Sequence, residues 1–313
     1  MFIGFREEEI AGSGARLFVR HGGNLKGPPV VLLHGYPQTS AMWHRVAPIL
    51  AETHRIVCPD LRGYGRSEKP KSDRLHLAHS KRSMAGDIVA VMERLGYRRF
   101  LVGGHDRGAR VAHRLGLDFP RRAVGLCLLD IAPTRETYAN ISEEFAKSYW
   151  HWFFLIQDQP LPETLIGGAP DAYWKLKCMR QADGAIPFHP EALKEYLSAF
   201  RDPAAIHASC EDYRAAASID ITHDNEDGGR TLSMPVHLIW AANGTTANCF
   251  DPIELWNRRA DQVEGQSVAA SHYMAEEVPE LIAERMLNFF ADCWQRAGSH
   301  SETGGPEPLP VHG

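Results

Sequence analysis

The sequence has no Cys-x-x-Cys pair. Its 6 cysteines are scattered at Cys58, Cys127, Cys178, Cys210, Cys249 and Cys293, which excludes the spacing of a zinc ribbon or a redox dithiol. No apolar run approaches the ~20 residues that a membrane-spanning helix needs, so no membrane is expected as a partner. The opening MFIGFREEEI turns acidic where a secretion signal would carry an apolar core. A reducing cytoplasm is the expected location. An excess of one charge is also missing: 34 Lys and Arg stand against 39 Asp and Glu, a formal net charge of -5, so no nucleic-acid partner is expected. No internal repeat is visible. What remains is 313 residues of ordinary globular composition, room for one large α/β domain or two modest ones.

Two periodicities alternate in the first part of the chain. ARLFVRHGG reads as an edge strand, and PPVVLLHG is a continuous apolar run of the kind buried in a parallel sheet. SAMWHRVAPILAE reads as a helix and HRIVCPD as a strand. A helix around 84–95 then leads to the strand FLVGGHD, the helix 107–118 and the strand AVGLCLLDIAP. Strands alternating with helices imply a mostly parallel sheet flanked by helices. From residue 134 to about 229 strand signals are scarce and aromatics dense, as in YWHWFFL, which predicts an inserted helical cap domain. The α/β rhythm resumes with MPVHLIW. The expected organisation is therefore a core of 1–133 and 230–296, a cap of 134–229, and a disordered Pro- and Gly-rich tail of 297–313.

The chemistry centres on GGHDRGAR. A strand, a tight turn with small residues at Gly104 and Gly108, and a helix match the nucleophile elbow of α/β-hydrolases, where a serine usually stands at the position held here by Asp106. A plain helix cap would also suit an aspartate there. The remaining members of such a site follow in the expected chain order: Asp130 in LLDIAPT and His272 in SHYMAEE, with Asp251 a rival for the acid. HGYPQT supplies an oxyanion-hole position at the backbone N–H of Tyr36, beside that of Arg107.

An aspartate changes what can be attacked. Serine displacing a group from a saturated carbon would leave an ether that water cannot readily cleave. Aspartate leaves an ester, which water can hydrolyse at the side-chain carbonyl. It is already ionised at neutral pH and needs no base to activate it. His272, held by Asp130, is then cast as the base that activates the water. Arg107 and Arg110, three residues apart at the start of one helix, form a candidate clamp for a carboxylate. Pairing of Arg110 with a surface acid is the plainer alternative.

With GHDRGAR, LLDIAPT, HWFFLIQ, CEDYRA and HGYPQTSAMWHRVAP in order, the chain resembles the haloacetate dehalogenases of the α/β-hydrolase fold, the fluoroacetate dehalogenases in particular. That resemblance implies Asp106 as nucleophile, Arg107 and Arg110 as the carboxylate site, His151, Trp152 and Tyr213 around the departing halide, and Asp130 with His272 for ester hydrolysis. It implies a small haloacid as substrate, a homodimer, and no metal or cofactor beyond water. The sequence departs from the family in three places. No tryptophan stands near Gln181, Ser271 replaces the glycine usual before the histidine, and Tyr36 stands where phenylalanine is common. An epoxide hydrolase, which uses the same Asp-His-Asp set with two cap tyrosines, is the principal rival, and a non-catalytic ligand receptor on the same fold is a second. Arg107 argues against the epoxide hydrolase, because tryptophan is the commoner residue after the nucleophile there. His76 and His79 lack an acidic partner at metal-ligand spacing, so no metal site is expected.

Overall fold

The computed structural model describes residues 1–179 and 186–301. Its strands are β1 (Arg6–Ala11), β2 (Arg16–Gly23), β3 (Pro29–Leu33), β4 (Arg55–Pro59), β5 (Phe100–His105), β6 (Ala123–Leu129), β7 (Val236–Ala241) and β8 (Val263–Val268). They form one eight-stranded sheet in the order β1-β2-β4-β3-β5-β6-β7-β8. Pairing is antiparallel from β1 through β4 and parallel from there to β8. β3, β5 and β6 are buried along their whole length, which is why they read as unbroken apolar runs. Helices flank them: Lys81–Arg94 packs with Arg107–Asp118, and Val46–Ala51 with Pro279–Ser301.

The run expected as the edge strand lies one position further in. β1 pairs with it from Arg6↔His21 to Ala11↔Arg16. Of REEEIA only Ile10 is buried, so β1 has no alternation for a sequence reading to detect; it is held by backbone pairing. SAMWHRVAPILAE likewise divides into a 3-10 turn, Ser40–Trp43, and a separate helix, Val46–Ala51. Between β6 and β7 the named elements are all helices, from Thr134–Ala139 to Ile219–Glu226. The final helix runs on through residues 297–301, into the segment whose composition suggests a tail. Gln181, beside which the family's tryptophan is missing, lies outside the described residues.

The crossing of the Arg107–Asp118 helix over β3 sets the position of everything that follows. A Cβ built on Gly108 would stand 2.4 Å from the Leu33 carbonyl oxygen and 2.5 Å from that of His34. Both obstacles are backbone, so neither can swing aside. Gly108→Ala must push helix and strand apart and should cost about 1–3 kcal/mol of stability, seen as a lower urea midpoint. An unchanged midpoint would show that the crossing is looser than this geometry.

Candidate active site

Asp106 sits between β5 and its helix with φ 46° and ψ -115°, a left-handed conformation costly for any residue but glycine. Its side chain makes no capping bond to its own helix. Instead its Oδ2 accepts the backbone N–H of Tyr36 at 3.0 Å. This approach requires Gly35, where a Cβ would fall 2.6 Å from that of Asp106. The Tyr36 turn is anchored from behind by His34: its Nδ1–H donates to the Gly35 carbonyl at 3.0 Å, and its Nε2 accepts the Leu61 N–H at 2.9 Å. The Arg107 backbone N–H, first in its helix, has no intrahelical acceptor.

Asp130 follows β6, also at positive φ (49°). Its Oδ2 pairs with His272 Nδ1 at 2.6 Å and its Oδ1 accepts the Ala241 N–H at 3.2 Å. Asp251, the rival acid, caps the Pro252–Asn257 helix through the Glu254 N–H. The His272 carbonyl accepts a hydrogen bond from His105 Nε2 at 2.8 Å, which ties the histidine loop to the end of β5. Burial by itself would raise the Asp106 carboxyl; His272, His105, Arg107 and Lys177 overcome it and hold the group below the usual carboxylate range. Asp130 is lowered too, with burial again opposed, here by the His272 contact and the Ala241 N–H.

The two arginines of the expected clamp differ. Arg107 is fully buried and its guanidinium is already gripped: Nε donates to Asp212 Oδ2 at 2.9 Å, and Nη2 to Oδ1 and to the Asp212 carbonyl, both at 2.8 Å. Tyr64 donates to the same carboxylate at 2.6 Å, and Lys81 bridges it to Asp220. Two cations thus meet two carboxylates, and of the Arg107 nitrogens Nη1 lacks a partner among the described residues. Arg110, 5% exposed, donates from Nη1 to the Ala132 carbonyl (3.2 Å) and Thr134 Oγ1 (2.8 Å), and no carboxylate pairs with it among the described residues. Burial and the neighbouring Arg107 charge lower its pKa.

His151, Trp152 and Tyr213 converge on the same place. Arg107 lies over the Tyr213 ring at 4.1 Å and Arg110 over Trp152 at 4.7 Å. Tyr213 meets His151 at 5.8 Å and Trp152 at 6.1 Å, and His151 stacks on Tyr36 at 6.2 Å. Burial, with the Lys177 charge, pushes the His151 imidazolium well below its usual range, so the ring is neutral. Burial pushes the Tyr213 phenol up, so it keeps its proton. Both can donate one hydrogen. A cleft of about 500 Å³, walled by His151, His272, Ser271, Lys177 and Cys178 among others, opens beside them. Among the described residues no cluster of three or more His, Cys, Asp or Glu could hold a metal.

Three contributors escaped the sequence reading. Asp212 lies inside the quoted CEDYRA without a signal of its own. Lys177 is one lysine in a mixed helix, and Tyr138 one aromatic in a short one. Only the fold brings them to Arg107, to the cleft and to Trp152 respectively.

The matches to known proteins bear on the fold and the family. A family model described as the alpha/beta hydrolase fold matches residues 28–255. The chain belongs to that family. It is 39% identical over 302 residues, 96% of this chain and 98% of the relative, to a fluoroacetate dehalogenase from Burkholderia sp. A soluble epoxide hydrolase from Corynebacterium sp. (strain C12) is 31% identical over 269 residues, 85% of this chain and 91% of the relative. A solved structure from Nostoc sp PCC 7120, proposed to be an α/β hydrolase, superposes with a TM-score of 0.88 at 48% identity, covering 92% of this chain and 99% of that one. Within the family this chain is a haloacetate-dehalogenase-like hydrolase.

Just past His272, Glu276 is 2% exposed and bonded to Tyr196 and to Gln38 (3.2 Å). Burial raises its carboxyl to about 7. Between about pH 4.5 and 7 the unfolded chain therefore gives up this proton while the folded one keeps it, and stability falls as pH rises. Glu276→Gln should lose less stability between pH 5 and 8 than the parent in urea titrations. Equal losses would show that Glu276 ionises alike folded and unfolded.

Proposed function

We propose that the chain hydrolyses a short 2-haloacid, with haloacetate the prototype, to the 2-hydroxy acid and halide. The observation that carries this reading is Arg110: a buried cation near the Asp106 carboxylate that hydrogen-bonds, among the described residues, to neutral oxygens only. A buried cation with no carboxylate in direct contact is costly, and an anionic substrate would supply one. The carboxylate would bind Arg110 and the open Nη1 of Arg107. This would also offset the repulsion between an anionic substrate and an anionic nucleophile.

In the first step Asp106 attacks the halogen-bearing carbon. An ester bond forms, the carbon–halogen bond breaks, and the halide leaves with the electron pair. His151, Trp152 and Tyr213 each carry an N–H or O–H donor and would stabilise that developing charge in a site that burial keeps dry. In the second step His272 takes a proton from water, whose oxygen adds to the Asp106 side-chain carbonyl carbon. The backbone N–H of Tyr36, with that of Arg107, receives the oxyanion. Collapse expels the hydroxy acid, which regains the proton, and leaves one oxygen of water in the Asp106 carboxylate. Asp130, at 2.6 Å, holds the ring and stabilises its charged form. The helical segment over the sheet serves as the cap that keeps bulk water from the first step.

His272→Asn should complete the first step only. Incubation with chloroacetate should give one halide per enzyme and a covalent adduct on Asp106, detectable by mass spectrometry of the intact protein and its peptides. Sustained turnover by this variant would refute the ester mechanism. Arg110→Met should raise KM for chloroacetate about 10–100-fold, the worth of a hydrogen-bonded charge, and leave that for neutral chloroacetamide within a few-fold. Equal effects on both would remove the carboxylate assignment. Diol formation from styrene oxide without halide release from any haloacid would favour an epoxide hydrolase instead, and saturable binding without turnover of either a ligand receptor.

A further inference from the structure

The helix that follows Asp130, Thr134–Ala139, turns one face toward Arg110. Thr134, at its first position, accepts from Arg110 Nη1 at 2.8 Å. Tyr138 is four residues on, one turn along and on the same face. Its ring centroid is 5.2 Å from that of Trp152, the ring over which the Arg110 guanidinium sits at 4.7 Å. The Tyr138 hydroxyl is sealed from solvent and has no hydrogen-bond partner among the described residues, and the same is true of Arg110 Nε and Arg107 Nη1. All three atoms are donors: Tyr138 and Arg110 flank the Trp152 indole, Arg107 lies over the Tyr213 ring that meets that indole, and none has an acceptor among the described residues. A buried polar atom without a partner costs about 1–3 kcal/mol, and three donors of this kind together call for an acceptor with several lone pairs.

We propose that Tyr138 is a third substrate-binding residue, donating its phenolic hydrogen to the carboxylate that Arg110 and Arg107 hold. The proposal rests on the haloacid reading of the site. Burial pushes the phenol up to about 12, against the pull of the Arg107 and Arg110 charges, so at neutral pH the group is an uncharged O–H donor. It adds a hydrogen bond without adding charge, which suits a pocket where a third cation beside two guanidiniums would be repelled. A carboxylate offers about four lone-pair sites, enough for all three donors.

Tyr138→Phe removes one oxygen and preserves the ring against Trp152. Two readouts test it. In steady state, KM for chloroacetate should rise about tenfold with kcat within twofold of the parent, and the constants for chloroacetamide should hold. In a binding titration followed by tryptophan fluorescence, with acetate as the probe, Kd should rise by the same factor, and Arg110→Met should raise it about 10–100-fold. Acetate affinity and chloroacetate KM unchanged in a variant of unaltered melting temperature would overturn the proposal while leaving the haloacid reading in place. Failure of the parent to release halide, combined with weakened acetate binding in Tyr138→Phe, would overturn the haloacid reading and leave Tyr138 as a carboxylate-binding residue.

Discussion

A carboxylate must stay ionised at a place almost closed to water, and most of the site can be traced to that requirement. Asp106 is 9% exposed, and its burial favours the neutral acid. What reverses the balance is a set of groups from separate parts of the chain: the Tyr36 N–H after β3, His105 on β5, His272 after β8 and Arg107 at the start of the helix. Each is held by a further contact, such as His34 to Leu61 or His272 to Asp130. The sheet brings the strand ends together. The short, glycine-dependent approaches at Gly35 and Gly108 make the spacing tight enough for the backbone N–H to reach the carboxylate.

Two arginines one helical turn apart look equivalent in a sequence, and here they are not. Arg107 meets Asp212, Lys81, Asp220 and Tyr64 in a compensated cluster, so it contributes direction more than net charge. Arg110 meets a carbonyl and a hydroxyl and, among the described residues, has no carboxylate in direct contact. The difference arises in the Pro203–Ala216 helix, about 100 residues downstream, because Asp212 extends from it to Arg107. Selectivity for anions, on this reading, depends more on the arginine that has no carboxylate partner among the described residues than on the one that Asp212 already holds.

Much of this was legible in the chain because it is local. The apolar runs of β3, β5 and β6, the small residues around Asp106 and the order of Asp106, Asp130 and His272 each depend on near neighbours. The choice between Asp130 and Asp251 was not legible, since both end or follow a strand and only the fold shows which reaches His272. β1 was not, because its exposed glutamates carry no apolar period. Asp212 was not, because a buried ion pair between two helices about 100 residues apart leaves no mark at either end of its sequence separation, and Lys177 and Tyr138 were not, because only the fold brings one to the cleft and the other to Trp152.

The Asp212 cluster bears on traffic through the site. It fastens the Pro203–Ala216 helix to Lys81 and Arg107, both on helices beside the sheet, through contacts with no access to solvent. Swinging the overlying helices away as a rigid lid would part those ions and strand charges in a dry interior, at several kcal/mol per ion. On the proposed function, small molecules would have a cheaper route past side chains at the rim of the cleft that His272 and Lys177 share, with this helix left in place. A doorway of that kind admits by girth, which on the proposed haloacid chemistry would suit reactants only a few atoms across.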